Sequence, residues 1–319
     1  MDFHILLSNL TNPTLLFFIL GIIAVKLNSD LEIPPSSTKF ISLYLLFAIG
    51  FKGGQELAHS EFNAEIAYSL LFGILIASLI PLYTFFILKR KLTIADAGAV
   101  AAAYGSVSAV TFVAASSFLE IQQLKFGGHM VAVMALMENP AIIVGVILLK
   151  LYDKENESEL NFSDVVKHSI TNGSVLMIIG SLIIGIIADS KQAEGIKPFT
   201  TDIFKGFLSI FLLEMGMVTA KKFASFKKYG WFATSFAIII PLLNGSLVAI
   251  ASSYVTHEVG NRLMFAVLAA SASYIAVPAA MRLAAPKANP GLYIPMALAI
   301  TFPLNITLGM PLYLYIINL

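Results

Sequence analysis

The stretch Ala101-Ala102-Ala103-Tyr104-Gly105-Ser106-Val107-Ser108-Ala109-Val110-Thr111 lies inside a long apolar segment, yet it is built of small residues and hydroxyls. A related stretch, Ala269-Ala270-Ser271-Ala272-Ser273-Tyr274-Ile275-Ala276-Val277-Pro278, begins 167 residues after Ala102. Both read Ala-Ala, two residues, Ser, two residues, Ala-Val. A membrane helix made only to anchor would use Leu and Ile throughout. Two matched polar interruptions point to interrupted membrane helices, with the interruption as the working part.

The surrounding composition sets the class. The chain has 319 residues, 58% of them hydrophobic and only 12% charged, with mean hydropathy +0.84. Soluble domains carry about 25% charged residues. Apolar runs of membrane-spanning length recur along the chain, so the expected class is an all-α integral membrane protein and not a β-barrel, whose strands alternate over about ten residues. There is no cysteine, which excludes a disulfide framework, thiolate metal sites and a Cys nucleophile. A net charge of +1 implies no nucleic-acid partner. The start, Met1-Asp2-Phe3-His4, lacks the basic flank of a signal peptide, so the first apolar run is expected to be retained.

Ten spans are expected, at about 13–28, 36–54, 66–89, 95–120, 128–151, 170–189, 200–222, 230–256, 261–285 and 291–318. The first is short for a full crossing. Between the fifth and sixth lies the one long polar segment, Tyr152-Asp153-Lys154-Glu155-Asn156-Glu157-Ser158-Glu159. The expected organisation is a first repeat over 1–150, a linker over 151–165 and a second repeat over 166–319. With the N-terminus outside, the inner loops collect 14 Lys and Arg and the outer loops five. That bias puts both termini outside and the linker in the cytoplasm of a bacterial plasma (inner) membrane.

The halves match beyond the opening stretch. Gly21-Ile22-Ile23-Ala24 returns as Gly185-Ile186-Ile187-Ala188, Gly50 aligns with Gly216, Pro81 with Pro241, and Gly145 with Gly309. Ordered matches at a nearly constant offset indicate a duplication. Each half has five spans, an odd number, so the second half enters the membrane inverted. Inverted repeats of this kind carry their substrate site near the bilayer midplane, between the repeats.

The candidate site follows from the breaks. Gly105 lacks a Cβ and Ser106 can bond the backbone, so a helix can end there, and Ala272-Ser273 can act likewise from the opposite direction. Half-helices that start at the midplane present N–H groups and a partial positive charge. The backbone around Gly105, Ser106 and Val107, and around Ala272, Ser273 and Tyr274, is the expected anion cradle. Freed carbonyls with the side chains of Ser106, Ser108, Thr111, Glu138, Ser271 and Ser273 are the expected cation ligands. The plain alternative is close helix packing by small residues, their hydroxyls bonding the preceding turn. Glu138, followed by Asn139-Pro140, is a carboxylate at membrane depth; it costs about 3 kcal/mol there and needs a partner, water or a ligand. It is read as a cation ligand or proton carrier, with a structural ion pair as the alternative. Glu214 is also deep, and Lys52 occupies the related span, so the two are candidates to pair across the pseudo-twofold axis; the alternative has Lys52 reaching the surface. Thr93 and Asp96 read as an N-cap. His4, His59, His129, His168 and His257 lie near span ends or in loops without metal-ligand spacing, and no nucleophile elbow, phosphate loop or HExxH motif is present.

At these residues the chain resembles the sodium-dependent bicarbonate transporter family of bacteria, as a divergent member. The resemblance rests on Gly105-Ser106-Val107-Ser108 with Thr111, Leu208-Ser209-Ile210 with Met215-Gly216-Met217, Ala269-Ala270-Ser271-Ala272-Ser273 with Pro278 and Arg282, and Ala288-Asn289-Pro290. It implies ten spans in two inverted repeats, gate and core domains each drawn from both, a homotrimer, and bicarbonate with Na⁺ as coupling ion at the crossing of spans four and nine. It also implies a PII-like regulator as a candidate cytoplasmic partner. Where that family typically has Ser-Ser-Ser-Asp, this chain has Ser271-Ala272-Ser273-Tyr274; the family's Asp of the fifth span is here Glu138. Beside Na⁺-coupled uptake of bicarbonate stand two rivals: a transporter of another small anion or carboxylate, including a proton-coupled one, and a membrane sensor that binds a solute without moving it. An enzyme is not expected, and no cofactor beyond Na⁺ is called for.

Overall fold

The computed structural model describes residues 11–60, 63–152, 167, 171–226 and 230–319. Among these the chain is all-helical, with no strand. Its principal helices are α1 (Pro13–Lys26), α2 (Pro35–Ala58), α3 (Ala64–Leu88), α4 (Ile94–Gly105), α5 (Ala109–Ile121), α6 (His129–Tyr152), α7 (Gly173–Ile187), α8 (Phe204–Phe226), α9 (Gly230–Ala251), α10 (Val259–Ala270) and α11 (Ala276–Ala284). A last helical run, α12, covers Pro290–Ile317. Six helical stretches are long and apolar enough to cross a membrane: Ala64–Leu88, Ile94–Ile121, His129–Tyr152, Pro198–Phe223, Gly230–Tyr254 and Pro290–Ile317. Three apolar helices are shorter: α1, α7 and α10. The linker expected over 151–165 falls outside the described residues beyond Tyr152, as do His4 and His168.

Local chemistry sets the helix starts. Asn12, Asn63 and Asn172 each accept a hydrogen bond from a first-turn N–H, at Thr14, Ile66 and Ser174. Thr93 caps α4 as read from sequence. Its Oγ1 accepts from the Asp96 N–H at 3.1 Å and donates to the Asp96 carboxylate at 2.9 Å. Asp96 also accepts from the Asn289 N–H at 2.8 Å, which ties α4 to the start of α12.

Two helix pairs pack at backbone contact. On α1 and α8, a Cβ added to Gly21 would lie 2.0 Å from the Leu213 carbonyl oxygen, and one on Gly216 would lie 2.0 Å from that of Phe18. On α2 and α7, the same holds for Gly54 against Leu182 at 2.2 Å and for Gly185 against Phe51 at 2.3 Å. Without a hydrophobic drive between helices in lipid, close approach through small residues supplies the packing. These contacts run α2 and α7 in the same direction. Gly128, just before α6, meets Gly53 near the far end of α2, so α6 runs back the other way. The starts of α2 and α7 therefore share a side with the end of α6, where the linker leaves.

The remaining helices pack with one another around the buried stretch Ile94–Ile121. Here α3 packs with α4 and α6, and α9 with α10 and α12. Pro241 in α9 cannot donate to the carbonyl of Ala237, and Thr301 of α12 supplies that bond through Oγ1 at 2.8 Å. α12 winds as π-helix over Met296–Thr301 and Asn305–Gly309. Arg262, counted above as an outer-loop charge, donates to the carbonyls of Ala249 at 2.9 Å and Ile317 at 3.1 Å, near the ends of α9 and α12.

The Lys52–Glu214 pair is not formed. Lys52 is exposed, with Glu56 as its charged neighbour one turn along α2. Glu214 is half-buried on α8, with Lys221 and Glu32 as its charged neighbours. Aligning the repeats placed the two on related helices, but the rotation of each helix about its axis turns them to different surroundings.

Candidate functional site

Both matched stretches interrupt a helix. α4 ends at Gly105 and α5 starts at Ala109; α10 ends at Ala270 and α11 starts at Ala276. The residues that close the two first halves take the same backbone conformation, φ −82° and ψ 172° at Ser106, φ −82° and ψ 170° at Ser271. The second break is the longer, spanning 271–275 against 106–108. The helix ends thus match at Ser106 and Ser271, whereas the restarts match at Ala109 and Ala276, two residues further on in the second copy.

The breaks cross and bond each other. The Ser273 N–H donates to the Ala103 carbonyl at 2.8 Å, and the Ser108 N–H donates to Ser271 Oγ at 3.0 Å. Helix ends leave orphan carbonyls, and tertiary contacts meet one at each break. Ala103 is met by Ser273, and Ala270 by Asn305 Nδ2 at 2.7 Å. Tyr104 and Thr301 share a hydrogen bond of 2.8 Å, and Tyr313 donates to Asn305 Oδ1 at 3.0 Å. Gly105 fits because it lacks a Cβ: one added there would lie 2.4 Å from Cδ of Pro81.

A small cavity of about 20 Å³ sits at the crossing, lined by Ser42, Leu46, Val107, Ser108, Ala109, Glu138, Ser174, Ser273, Tyr274, Ile275 and Ala276. It is roughly the space of one water molecule. Glu138 faces it, and no cationic side chain does. Among the described residues the Glu138 carboxylate has no hydrogen bond and no ion pair; the one ion pair among them joins Lys205 to Glu120 at 3.0 Å. The structural pairing weighed for Glu138 is therefore absent there. Ser108 and Ser273 bring oxygen ligands, which suit a small hard cation. Ala109 and Ala276 are the first residues of α5 and α11, so two helix N-termini reach the same cavity with their partial positive charge.

The other expected ligands stand behind this lining. Ser106 Oγ donates to the Glu138 backbone carbonyl at 3.2 Å, Ser271 Oγ donates to Leu268 at 2.8 Å, and the Thr111 N–H bonds Ser108 Oγ at 3.2 Å. Gly105 and Ala272 are buried within the crossing. Of the N–H groups expected to form an anion cradle, those of Ser106 and Ser273 are engaged by the carbonyls of Ala102 and Ala103. The helix starts at Ala109 and Ala276 take their place at the cavity. Sequence reasoning missed Ser42 and Leu46 of α2 and Ser174 of α7. A serine in an apolar helix is ordinary, so only the packing of those helices marks them.

A second, far larger cavity of about 1050 Å³ lies beside the first. Ser42, Ser174, Tyr274 and Ile275 line both. Its lining includes Pro35, Thr38 and Lys39 at the start of α2 and Asn172 and Gly173 at the start of α7, the linker side of the molecule. Its walls are mostly apolar, with Glu214 as their one carboxylate.

A helical multi-pass membrane protein whose two interrupted helices cross at a carboxylate-bearing pocket has the architecture expected of a solute carrier. The family comparison agrees: the family model of the Na⁺-dependent bicarbonate transporter superfamily matches residues 13–318, and the chain belongs to that superfamily. No curated protein sequence matches it.

Proposed function

We propose that the protein is a secondary transporter importing a small inorganic anion, bicarbonate first, by Na⁺ symport with alternating access. The carrying observation is Glu138, a carboxylate without a cationic partner among the described residues, set in one small cavity with the starts of α5 and α11. A carboxylate at membrane depth needs a compensating charge. A bound Na⁺ supplies it, held by Glu138 with Ser108 and Ser273, while the two helix N-termini favour the anion. The cation and the anion thus create each other's site, which is the physical content of symport. Ser106, Thr111 and Ser271 hold the crossing together around them.

The topology we propose is ten crossings in two inverted five-helix repeats. The matched conformations of Ser106 and Ser271 support it. So do the paired glycine contacts, in which Gly21 meets α8 at Gly216 and its repeat mate Gly185 meets α2 at Gly54, one turn beyond Gly50. The Lys and Arg bias supports both termini outside a bacterial inner membrane and the linker in the cytoplasm. On that orientation the large cavity opens to the cytoplasm. The apolar walls of that cavity favour a second reading, a small organic carboxylate as cargo.

Uptake into proteoliposomes of labelled bicarbonate and a panel of small carboxylates, with and without a Na⁺ gradient, tests this. Na⁺-dependent bicarbonate uptake is expected. Uptake driven equally by a proton gradient alone would overturn the coupling, and uptake of a carboxylate alone would overturn the cargo.

A further inference from the structure

The cavity at the crossing, about 20 Å³, holds roughly one water-sized particle. A polyatomic anion does not fit it as it stands, yet a cavity some fifty times larger lies next to it on the linker side. Four residues line both spaces: Ser42, Ser174, Tyr274 and Ile275. Two of these are small and sit on continuous helices. Tyr274 is the largest, and it sits in the non-helical stretch 271–275, where the backbone can shift with the side chain without breaking a helix ladder. Its ring rests edge-on against Phe302, centroids 6.4 Å apart, and Phe302 rests in the same way on Phe18 of α1 at 5.9 Å. Its hydroxyl oxygen is buried at the cavity with the Ser108 side chain as its polar neighbour, and no hydrogen bond of ordinary geometry holds it, which leaves it able to turn to a ligand.

We propose that the Tyr274 side chain is the door between the large cavity and the site, and that its hydroxyl is a donor to the cargo once the site widens to admit it. The proposal rests on the crossing being the substrate site. The ring closes the pocket toward the linker side, and leaving Phe302 joins the two spaces. The hydroxyl then exchanges the Ser108 side chain for a bond to an anionic oxygen. Tyr274 is thus a specificity-determining residue: it offers one neutral donor and a bulky wall.

The absence of native cysteine allows a clean test. Ala109→Cys puts a thiol in the wall of the small cavity, and Thr38→Cys puts one in the lining of the large cavity. A membrane-impermeant thiol reagent is applied from the linker side to each, in the parent, Tyr274→Phe and Tyr274→Ala backgrounds. The Ala109→Cys thiol should react at least ten-fold faster with Tyr274→Ala than in the parent or with Tyr274→Phe, while Thr38→Cys reacts at one rate in all three. Equal rates at Ala109→Cys in the three backgrounds overturn the door, and so does a matching rise at Thr38→Cys, which means general loosening. If Tyr274→Ala does not reach the membrane, Tyr274→Ser takes its place with the same expected ratio. In uptake, Tyr274→Phe should raise KM several-fold and leave kcat near the parent value; an unchanged KM overturns the hydroxyl's role. The labelling needs no cargo, so it can succeed even if bicarbonate fails as substrate.

Discussion

The two helix breaks share a sequence pattern and an entry conformation but differ in finish. The break at 106–108 is short, and Ser108 closes it by capping α5. Gly105 seats it against Pro81 with no room to spare. The break at 271–275 is two residues longer, and α11 starts behind Ile275 without a side-chain cap at that position. It carries Tyr274, whose hydroxyl has only the Ser108 side chain as polar neighbour, and it borders the large cavity. On the proposed duplication and door, the two matched breaks divide their duties: the first is a fixed wall, the second a wall that can move. Interrupted helices are tolerated at membrane depth where their freed groups are re-satisfied or face a cavity, and the two breaks illustrate one option each.

The contrast can be broken at several points. Glu138→Gln has the largest expected effect. It should abolish Na⁺-driven uptake while leaving the thermal unfolding midpoint in detergent unchanged or raised, since a charge costing about 3 kcal/mol at that depth is removed. Uptake at the parent rate would take Glu138 out of the mechanism. Next, Gly105→Ala should destabilise the fixed break by about 1–3 kcal/mol, because the new Cβ meets the Pro81 ring. Its counterpart at the second helix end is already an alanine, Ala270, so Ala270→Gly should lower the midpoint less.

Ser271→Ala removes the acceptor of the buried Ser108 N–H, an expected loss of about 1–3 kcal/mol. The aligned Ser106→Ala removes one bond to a carbonyl within a helix and should cost about 1 kcal/mol or less. Similar midpoints for the two serine variants would mean that the breaks are equivalent after all. The smallest contrast is at the caps. Ser108→Ala loses an N-cap, typically about 1 kcal/mol. Ser273 accepts from the Val277 N–H only at 3.4 Å, so Ser273→Ala should shift the midpoint less than Ser108→Ala, whatever it does to transport.

Much of the fold was legible because it is set locally. Apolar length fixed where helices run, Thr93 with Asp96 marked the start of α4, and Gly105 with the flanking serines marked where a helix must stop. Glu138 stood out because a carboxylate in an apolar run has no inexpensive explanation. The expected pairing of Lys52 with Glu214 failed because repeat alignment gives the helix and the depth of a residue but not the direction its side chain takes. Two N–H groups of the expected cradle are engaged by carbonyls instead. The Ser106 donor closes its own helix on Ala102, whereas the Ser273 donor bonds the Ala103 carbonyl, a contact between residues far apart in the chain.

The sequence alone determined that this chain is a helical membrane protein, that two helices are interrupted at places of matched sequence, and that a carboxylate, Glu138, lies within an apolar run. Those are consequences of hydrophobicity, backbone freedom and charge, each carried by a few neighbouring residues. Only the tertiary structure decided that Ser42 and Ser174 join the site and that Glu138 lacks a cationic partner there. It alone set Tyr274 between a one-water cavity and a cavity of about 1050 Å³. These depend on how each helix is rotated and where helices cross. Close packing among distant residues fixes both, and no local stretch of the chain encodes them.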